Sequence, residues 1–409
     1  MLAALHLHAG SLGLVDLDAP PAVLLKTVDA AFAQFRVAHA RRYVSAADTS
    51  ARRDRFEAFL REAAELAEAN PHARYGVTQF ADELPEERAT RVVPISARRS
   101  PPPLVEQQQQ QQQQPPPPKP NTKWDGECVS CKRFPQLAKA LPSSWDWVEH
   151  GAVTSVKAQG GCGGCYAFAA AGAVEGAWYL SGQPLASLSV EQIVSCDRVR
   201  SDGGCGGSVT NLDTFQYVIE HGGLAAYNAY PFSNGSLHDK PPKCDAAKAA
   251  KTVGRITNEW RISGYGHLND SYPGLNETFP GKNAPWAVDA ADNAVNESRV
   301  IEALVRVGPL SIAINAGRMN SYISGVDVPP TATQCPYFCC WPAGNSYSVL
   351  DHEVLLVGFG EEDGVRYWKI KNSWGANWGE GGYFRVARGM NSVGVACDVI
   401  GVAQLQAEA

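Results

Sequence analysis

Gln159-Gly160-Gly161-Cys162-Gly163-Gly164-Cys165-Tyr166-Ala167-Phe168 leads directly into Tyr166–Leu180, YAFAAAGAVEGAWYL, an apolar run that predicts a buried helix. A cysteine opening such a helix meets unsatisfied backbone amides and the positive end of the dipole, which favour a thiolate over a thiol. The glycines let the backbone turn sharply and approach a bound ligand. Taken alone, Cys162-x-x-Cys165 also admits a redox pair or half of a zinc site. A zinc site calls for a second ligand pair at matching spacing and a redox pair for a surrounding βαβ pattern, and the context favours neither.

The context instead supplies a histidine and an amide. His352 precedes a β-prone run, Glu353-Val-Leu-Leu-Val-Gly-Phe-Gly360, and Lys371-Asn372-Ser373-Trp374-Gly375 follows, with Trp378-Gly379 beyond it. On neighbouring strands, the Asn372 side chain can hold the imidazole in one tautomer while the other ring nitrogen faces a thiol. Trp374 would then cover that hydrogen bond and exclude water.

Outward from these segments, 409 residues suffice for two or three domains, and 44% hydrophobic residues suffice for a core. Lys+Arg 36 against Asp+Glu 42 gives net charge −6, so no strongly basic field points to nucleic acid. The longest apolar runs fall well short of the ~18 residues a spanning helix needs. Eleven cysteines and four sequons, at Asn234, Asn269, Asn276 and Asn296, point to the secretory pathway. Met1–Leu17 is apolar but lacks a basic start and carries His6 and His8; it reads as a degraded or truncated signal segment.

A boundary falls at Ser100–Lys123, where prolines flank the Gln107–Gln114 run; with no apolar face to bury, this stretch is expected to be an extended linker. Before it, Leu25, Val28, Phe32 and Phe35 predict one amphipathic helix, and Phe56, Phe59, Leu60, Ala63, Leu66 and Ala67 a second that stops at Asn70-Pro71. Gly76–Asp82 is expected to be a short strand. So small a core is marginal alone and suits docking on a partner surface. Beyond the linker, helices are expected at Leu188–Cys196 and Asn211–Glu220. Strands are expected at Leu310–Ile314, Glu353–Phe359, Tyr367–Lys371 and Tyr383–Val386, with long loops at Ser263–Ala294 and Val328–Ser348. Helices first and strands later imply an α+β fold in two lobes.

Together these segments resemble the papain family of cysteine proteases, in its cathepsin group. Leu141-Pro-Ser-Ser-Trp-Asp-Trp147 resembles the mature N-terminus and Gly151–Phe168 the nucleophile segment. Gly308-Pro-Leu-Ser-Ile-Ala-Ile314 resembles the strand entering the second lobe, and Asp351-His-Glu-Val354 with Lys371–Gly375 the base and orienter segments. The similarity runs from about Phe32 to Val402. It implies a papain-like α+β fold with a helical left lobe and a β-barrel-like right lobe. The implied division is a signal segment at 1–25, an inhibitory propeptide at 26–99 and a linker with a cysteine-containing segment at 100–140. The peptidase would then occupy 141–409, its lobes meeting at about 257–258.

Carried across position by position, the resemblance makes Cys165 the nucleophile, His352 the base and acid, Asn372 the orienter and Gln159 an oxyanion donor. Gly206, Gly207, Ser208, Asp351, Trp374 and Val402 become candidates for substrate binding, with Val402 as the floor of an apolar side-chain pocket. Trp378 is either a leaving-group wall or core. The implied disulfides are Cys162–Cys205, Cys196–Cys244 and Cys397 with one of Cys335, Cys339 or Cys340. Cys128, Cys131 and the two loop cysteines left over are open to two further bridges, a vicinal Cys339–Cys340 pair or a zinc site. In the propeptide, Arg55, Phe59, Asn70, Gly76, Phe80 and Asp82 fit the pattern, whereas Ala51, Glu62 and Thr78 depart from it. Tyr166, Ala158 and Gly164 are further departures, and the register slips by one around Cys205–Ser208. Carboxylate pairs at Asp82-Glu83 and Glu86-Glu87 suggest an acid trigger for release.

The function implied is a thiol endopeptidase made as a zymogen, with no cofactor and no metal. Its partners would be peptide or protein substrates and its own propeptide, without nucleic acid or a membrane span, as a monomer in a lysosome-like or extracellular compartment. One alternative is an exopeptidase whose Cys128–Cys131 segment is tethered by a disulfide to Cys339 or Cys340 and blocks one end of the cleft. Another is a catalytically silent binding protein.

Overall fold

The computed structural model describes residues 15–92, 126–197, 203–208, 211–233, 243–264, 297–329 and 350–404. The expectations for residues 1–14 of Met1–Leu17, the Ser100–Lys123 linker with its Gln107–Gln114 run, the four sequon asparagines, most of Ser263–Ala294, most of Val328–Ser348, and Cys335, Cys339 and Cys340 lie outside the described residues.

The N-terminal segment folds as α1 (Pro21–Leu24), α2 (Val28–Ala38), α3 (Ala46–Ala69), β1 (Ala73–Tyr75) and α4 (Pro85–Arg91). Ser45 caps α3, its hydroxyl accepting from the Asp48 N–H at 3.0 Å. The helix-spaced residues meet as expected from their period: Phe32, Phe35, Phe56, Phe59 and Leu60 are buried together. The Phe56 ring centroid lies 5.5 Å from that of Phe32 and 5.2 Å from that of Phe35. One local expectation is corrected. The strand is Ala73–Tyr75, not Gly76–Asp82, because pairing with the second lobe runs out at Tyr75 and the chain then folds into turns closed by Ala81 N–H to Thr78 and Glu83 N–H to Phe80. Helix α4 had no apolar period to announce it.

After β2 (Trp145–Asp146), the run that opened at Gln159 becomes α5 (Cys165–Leu180), beginning on Cys165 itself. It is buried almost all round, and Gly172 and Gly176 explain how: a Cβ there would come within 2.8 Å of Leu355 and 2.7 Å of Pro309. Small residues let neighbouring chain close on every side of the helix. Helices α6 (Val190–Cys196), α7 (Asn211–Glu220) and α8 (Ala246–Ala249) and the pair β3 (Leu224–Ala225) and β4 (Thr252–Gly254) complete the first lobe. Disulfides Cys162–Cys205 and Cys196–Cys244 staple it.

The second lobe contains β5 (Asn258–Gly264), α9 (Glu297–Val307), β6 (Leu310–Ile314), β7 (Tyr322–Asp327), β8 (His352–Glu362), β9 (Val365–Lys371), β10 (Tyr383–Ala387) and β11 (Asp398–Ala403). Its nine-stranded sheet runs β1-β7-β10-β9-β8-β6-β11-β5, with β2 added on β8. The edge strand is therefore donated by the N-terminal segment: β1 pairs antiparallel with β7, Ala73 opposite Gly325. The long β8–β9 hairpin turns at Asp363-Gly364, where both φ angles are positive (50° and 79°), a turn that matches the twist of the strands. This turn sets the register that returns the end of β9 beside the start of β8.

Residues 126–140 pack on this body. Val129 and Leu137 are buried, Ser130 donates to the Val305 carbonyl at 2.7 Å, and the Phe134 ring meets Trp145 and Trp147 edge-on. Cys128 and Cys131 are bonded to each other. That pairing removes the tether to the Cys339 or Cys340 loop and leaves neither sulfur for zinc.

Candidate active site

The site is built where α5 meets the start of β8 and the end of β9. Cys165 is the first residue of α5, 1% exposed, and keeps its thiol, whereas the other described cysteines are disulfide-bonded. The preceding loop is held from three directions. Cys162 is bonded to Cys205, Gly163 N–H donates to the Cys205 carbonyl at 3.0 Å, and the Tyr166 hydroxyl donates to the Gly204 carbonyl at 3.2 Å. Gly164 leaves room for this, since a Cβ would approach Cys162 Sγ to 3.2 Å and Val194 Cγ2 to 3.3 Å.

His352, fully buried, opens β8 opposite Ile314. Its Nε2 lies 2.8 Å from Asn372 Oδ1. The same oxygen accepts the Ser373 N–H at 2.8 Å, so it is the carbonyl end of the amide and Nε2 must carry the proton. Nδ1 is then the basic nitrogen of the ring. The Trp374 ring lies 4.9 Å from the imidazole at 30° and covers it. Trp378 stands edge-on behind Trp374, centroids 5.0 Å apart, and donates to the Met319 carbonyl, so it belongs to the packed wall that backs Trp374.

Gln159 is also fully buried. Its Oε1 accepts from the Ser373 hydroxyl at 2.6 Å, and its N–H donates to the Ser373 carbonyl at 2.8 Å. The amide nitrogen is thereby aimed outward, donating to the Cys162 carbonyl at 2.8 Å and to the Arg91 carbonyl at 3.0 Å. A peptide carbonyl of the N-terminal segment thus sits on the Gln159 donor.

Beneath the site, Glu175 of α5 accepts from Lys157 at 2.7 Å, Thr154 at 2.5 Å and the Leu188 N–H at 2.8 Å, while Lys371 donates to the same Thr154 hydroxyl at 3.2 Å. Burial pushes the Lys371 ammonium down to about 8, against the opposing pull of Glu175. This network ties the cysteine helix to the residue before Asn372.

The other candidates are placed as follows. Asp351 Oδ1 accepts the Ala316 N–H at 2.7 Å beside His352. Gly206 closes a short turn on Gly203, Gly207 has φ 87°, and Ser208 is fully buried. Val402 is buried on β11 within the first-lobe core that includes Tyr166 and Leu188. Cys397 is disulfide-bonded, its partner lying outside the described residues. Among the described residues no cluster of three His, Cys, Asp or Glu side chains is arranged to hold a metal ion, and no helix is long and apolar enough to cross a membrane.

The N-terminal segment is bolted over this cleft. Asn70 donates to Asp327 at 3.0 Å and Tyr75 to the same oxygen at 2.6 Å, while Arg318 brackets that carboxylate. Gly76 N–H donates to the Ser321 carbonyl at 2.8 Å, and Thr78 to the Asn320 carbonyl at 2.6 Å. Phe80 meets Trp374 edge-on at 5.2 Å. Asp82 does not reach the second lobe; it accepts from Tyr43 at 2.7 Å and pairs with Arg41, locking the turn to the helices. Arg55 likewise stays within the segment, on Glu62 and the Glu83 carbonyl, and Phe59 fills the core. Sequence reasoning gave Ser373 no role although it stands in the Lys371–Gly375 motif, and it missed Arg91, Tyr75 and the Arg318–Asp327 pair. Arg91, Tyr75 and the Arg318–Asp327 pair act across the contact between the N-terminal segment and the second lobe, and none of them stands in a quoted motif.

Residues 141–403 match the family described as papain family cysteine protease. Cysteine proteinase 15A of Pisum sativum is 37% identical over 280 residues, covering 65% of this chain and 63% of its own length. Cysteine proteinase 1 of Zea mays is 34% identical over 352 residues, 82% of this chain and 75% of that protein. Among solved structures, the digestive procathepsin L2 proteinase of Tenebrio molitor larval midgut aligns with TM-score 0.63 and 26% identity over 92% of this chain and 99% of its own. The chain belongs to the papain family of cysteine proteases, in the form that carries its own propeptide.

Proposed function

We propose that this cysteine peptidase is an endopeptidase, with Cys165 as nucleophile, His352 as base and acid, Asn372 as orienter and Gln159 as oxyanion donor. The Cys165 sulfur, held as thiolate by the helix mouth and an imidazolium, attacks the substrate carbonyl carbon. The developing oxyanion is met by Gln159 Nε2 and the Cys165 N–H, a donor of this kind being worth ~3 kcal/mol in the transition state. His352 passes its proton to the leaving amine, the C–N bond breaks, and a thioester remains. Water, deprotonated by His352, then releases the acid and restores the thiolate.

The observation that carries this reading is the 3.0 Å hydrogen bond from Gln159 Nε2 to the Arg91 carbonyl, a peptide group already resting on the oxyanion donor. The Cys128–Cys131 bridge supports endopeptidase over exopeptidase action, since the segment has no disulfide to hold it across the cleft. The described disulfides and the four sequons support a secretory, lysosome-like or extracellular location. The test is to acidify the purified zymogen, add an epoxysuccinyl thiol reagent and locate the adduct by mass spectrometry. An adduct on Cys165, with cleavage of internally quenched peptides that it abolishes, is expected. Labelling elsewhere, or release of terminal residues only, would overturn the assignment.

A further inference from the structure

Arg91 is the most deeply buried cation among the described propeptide residues, 3% exposed. Its guanidinium carbon lies 3.8 Å from the Phe80 ring centroid and 4.2 Å from that of Trp374, so the cation sits in the corner between two rings that meet edge-on. Glu83 accepts from Nε at 2.9 Å and from Nη2 at 2.5 Å, and Asn320 Oδ1 accepts from Nη2 at 3.1 Å. Asp351 lies close enough to favour the charge, and Arg88 opposes it. These partners fall into two groups. Phe80, Glu83 and Arg88 leave with the propeptide; Trp374, Asn320 and Asp351 remain with the enzyme.

The position of the remaining group relative to the chemistry follows from the imidazole. Trp374 lies over His352, the residue that must hand a proton to the leaving amine, so its outer face flanks the leaving-group half of a substrate. We propose that Trp374 and Asn320 form a guanidinium subsite on the leaving-group side, and that the enzyme prefers substrates with arginine there, within two residues of the cleaved bond. The subsite is defined by where the side chain sits, and Arg91 is its resident occupant in the zymogen. An indole face and one amide oxygen suit a flat cation that stacks and donates in its own plane; a neutral isostere keeps the shape and loses the attraction. The inference rests on the endopeptidase reading.

The test uses the acid-activated full chain and internally quenched peptides identical except for arginine or its uncharged isostere citrulline at the first or second leaving-group position. Arginine is expected to raise kcat/KM by about 10-fold over citrulline, the order of one desolvated cation–aromatic contact plus a charge-assisted hydrogen bond. Asn320→Leu is expected to bring that ratio down severalfold. A second measurement needs no internal cleavage. With a small ester as acyl donor, an added amino-acid amide competes with water for the thioester: its nitrogen bonds to the acyl carbon, the C–S bond breaks, Cys165 leaves as thiolate, and His352 takes the amine proton. Arginine amide should divert more acyl product than citrulline amide. Equal rates and equal partitioning for the two would overturn the subsite. Failure to cut any internal bond while arginine amide still outcompetes citrulline amide would overturn the endopeptidase reading and leave the subsite standing.

Discussion

Arg91→Met isolates how the zymogen is kept shut. Methionine retains the packing between Phe80 and Trp374 but loses the Asn320 bond, the paired bonds to Glu83 and the cation–aromatic attraction. Hydrogen bonds to charged groups are worth ~2 kcal/mol each, and the aromatic contacts add ~1. Against this stands the burial that pulls the Arg91 guanidinium below its ordinary range, a desolvation penalty that methionine does not suffer. Glu83, left without its partner, is 13% exposed and recovers some hydration on opening. The net loss is about 3 kcal/mol, or roughly 100-fold in the population of the open form. Cys165 is 1% exposed in the closed form, so at neutral pH an epoxysuccinyl reagent reaches it only through that opening. The labelling rate should therefore rise by about 100-fold in the variant, with unchanged thermal unfolding of the first lobe. An unchanged labelling rate would refute the reasoning.

Further outcomes follow from the same geometry. Burial and Arg41 hold the His39 imidazole below its ordinary value of 6.5, with Asp82 opposing. Unfolded propeptide therefore takes up protons first, and the propeptide's stability is lost as pH falls from 6.5 through the folded value; His39→Gln should shift acid activation, followed by gel, to lower pH. Burial alone would raise the Glu87 carboxyl, but Arg52, bonded to both oxygens, and the Leu84 N–H bring it below 4.5. Its contribution is present above 4.5 and lost as pH falls through the lower folded value, so Glu87→Gln should activate more readily near neutral pH, read by the same gels. Lys371, depressed to about 8, makes the fold gain stability as pH rises from 8 towards 10.5; Lys371→Met should remove that rise in the unfolding midpoint. Gln159→Ala should lower kcat by ~100-fold with little change in KM, because the amide is asked to work mainly in the transition state.

Local physics makes some of this molecule readable from one dimension. The small-residue run after Cys165 reads as a buried helix, the phenylalanines of the first 70 residues repeat at helix spacing, and the β-prone runs after His352 and before Asn372 read as neighbouring strands that can set the two side by side. Those signals are legible because each element carries its own period, and they were sufficient for an α+β chain in two lobes; the family came from the resemblance of whole motifs such as Gly151–Phe168 and Lys371–Gly375. The errors fell where period was absent. Ala73–Tyr75 is too short to alternate visibly, and α4 is polar throughout.

What only the tertiary structure decided lies between distant parts of the chain. Nothing near Arg91 in sequence says that its carbonyl will rest on Gln159 or that its charge will stack on Trp374. Tyr75 and Asp327 are 252 positions apart, and the bond between them is one of those that clamp the propeptide to the second lobe. Cys128 had several conceivable partners until packing of Val129 and Leu137 drew its segment onto the body and closed it on Cys131. Periodicity records which face of an element is apolar. It carries no record of which remote side chain meets that face, because that choice is made by the summed packing of both lobes.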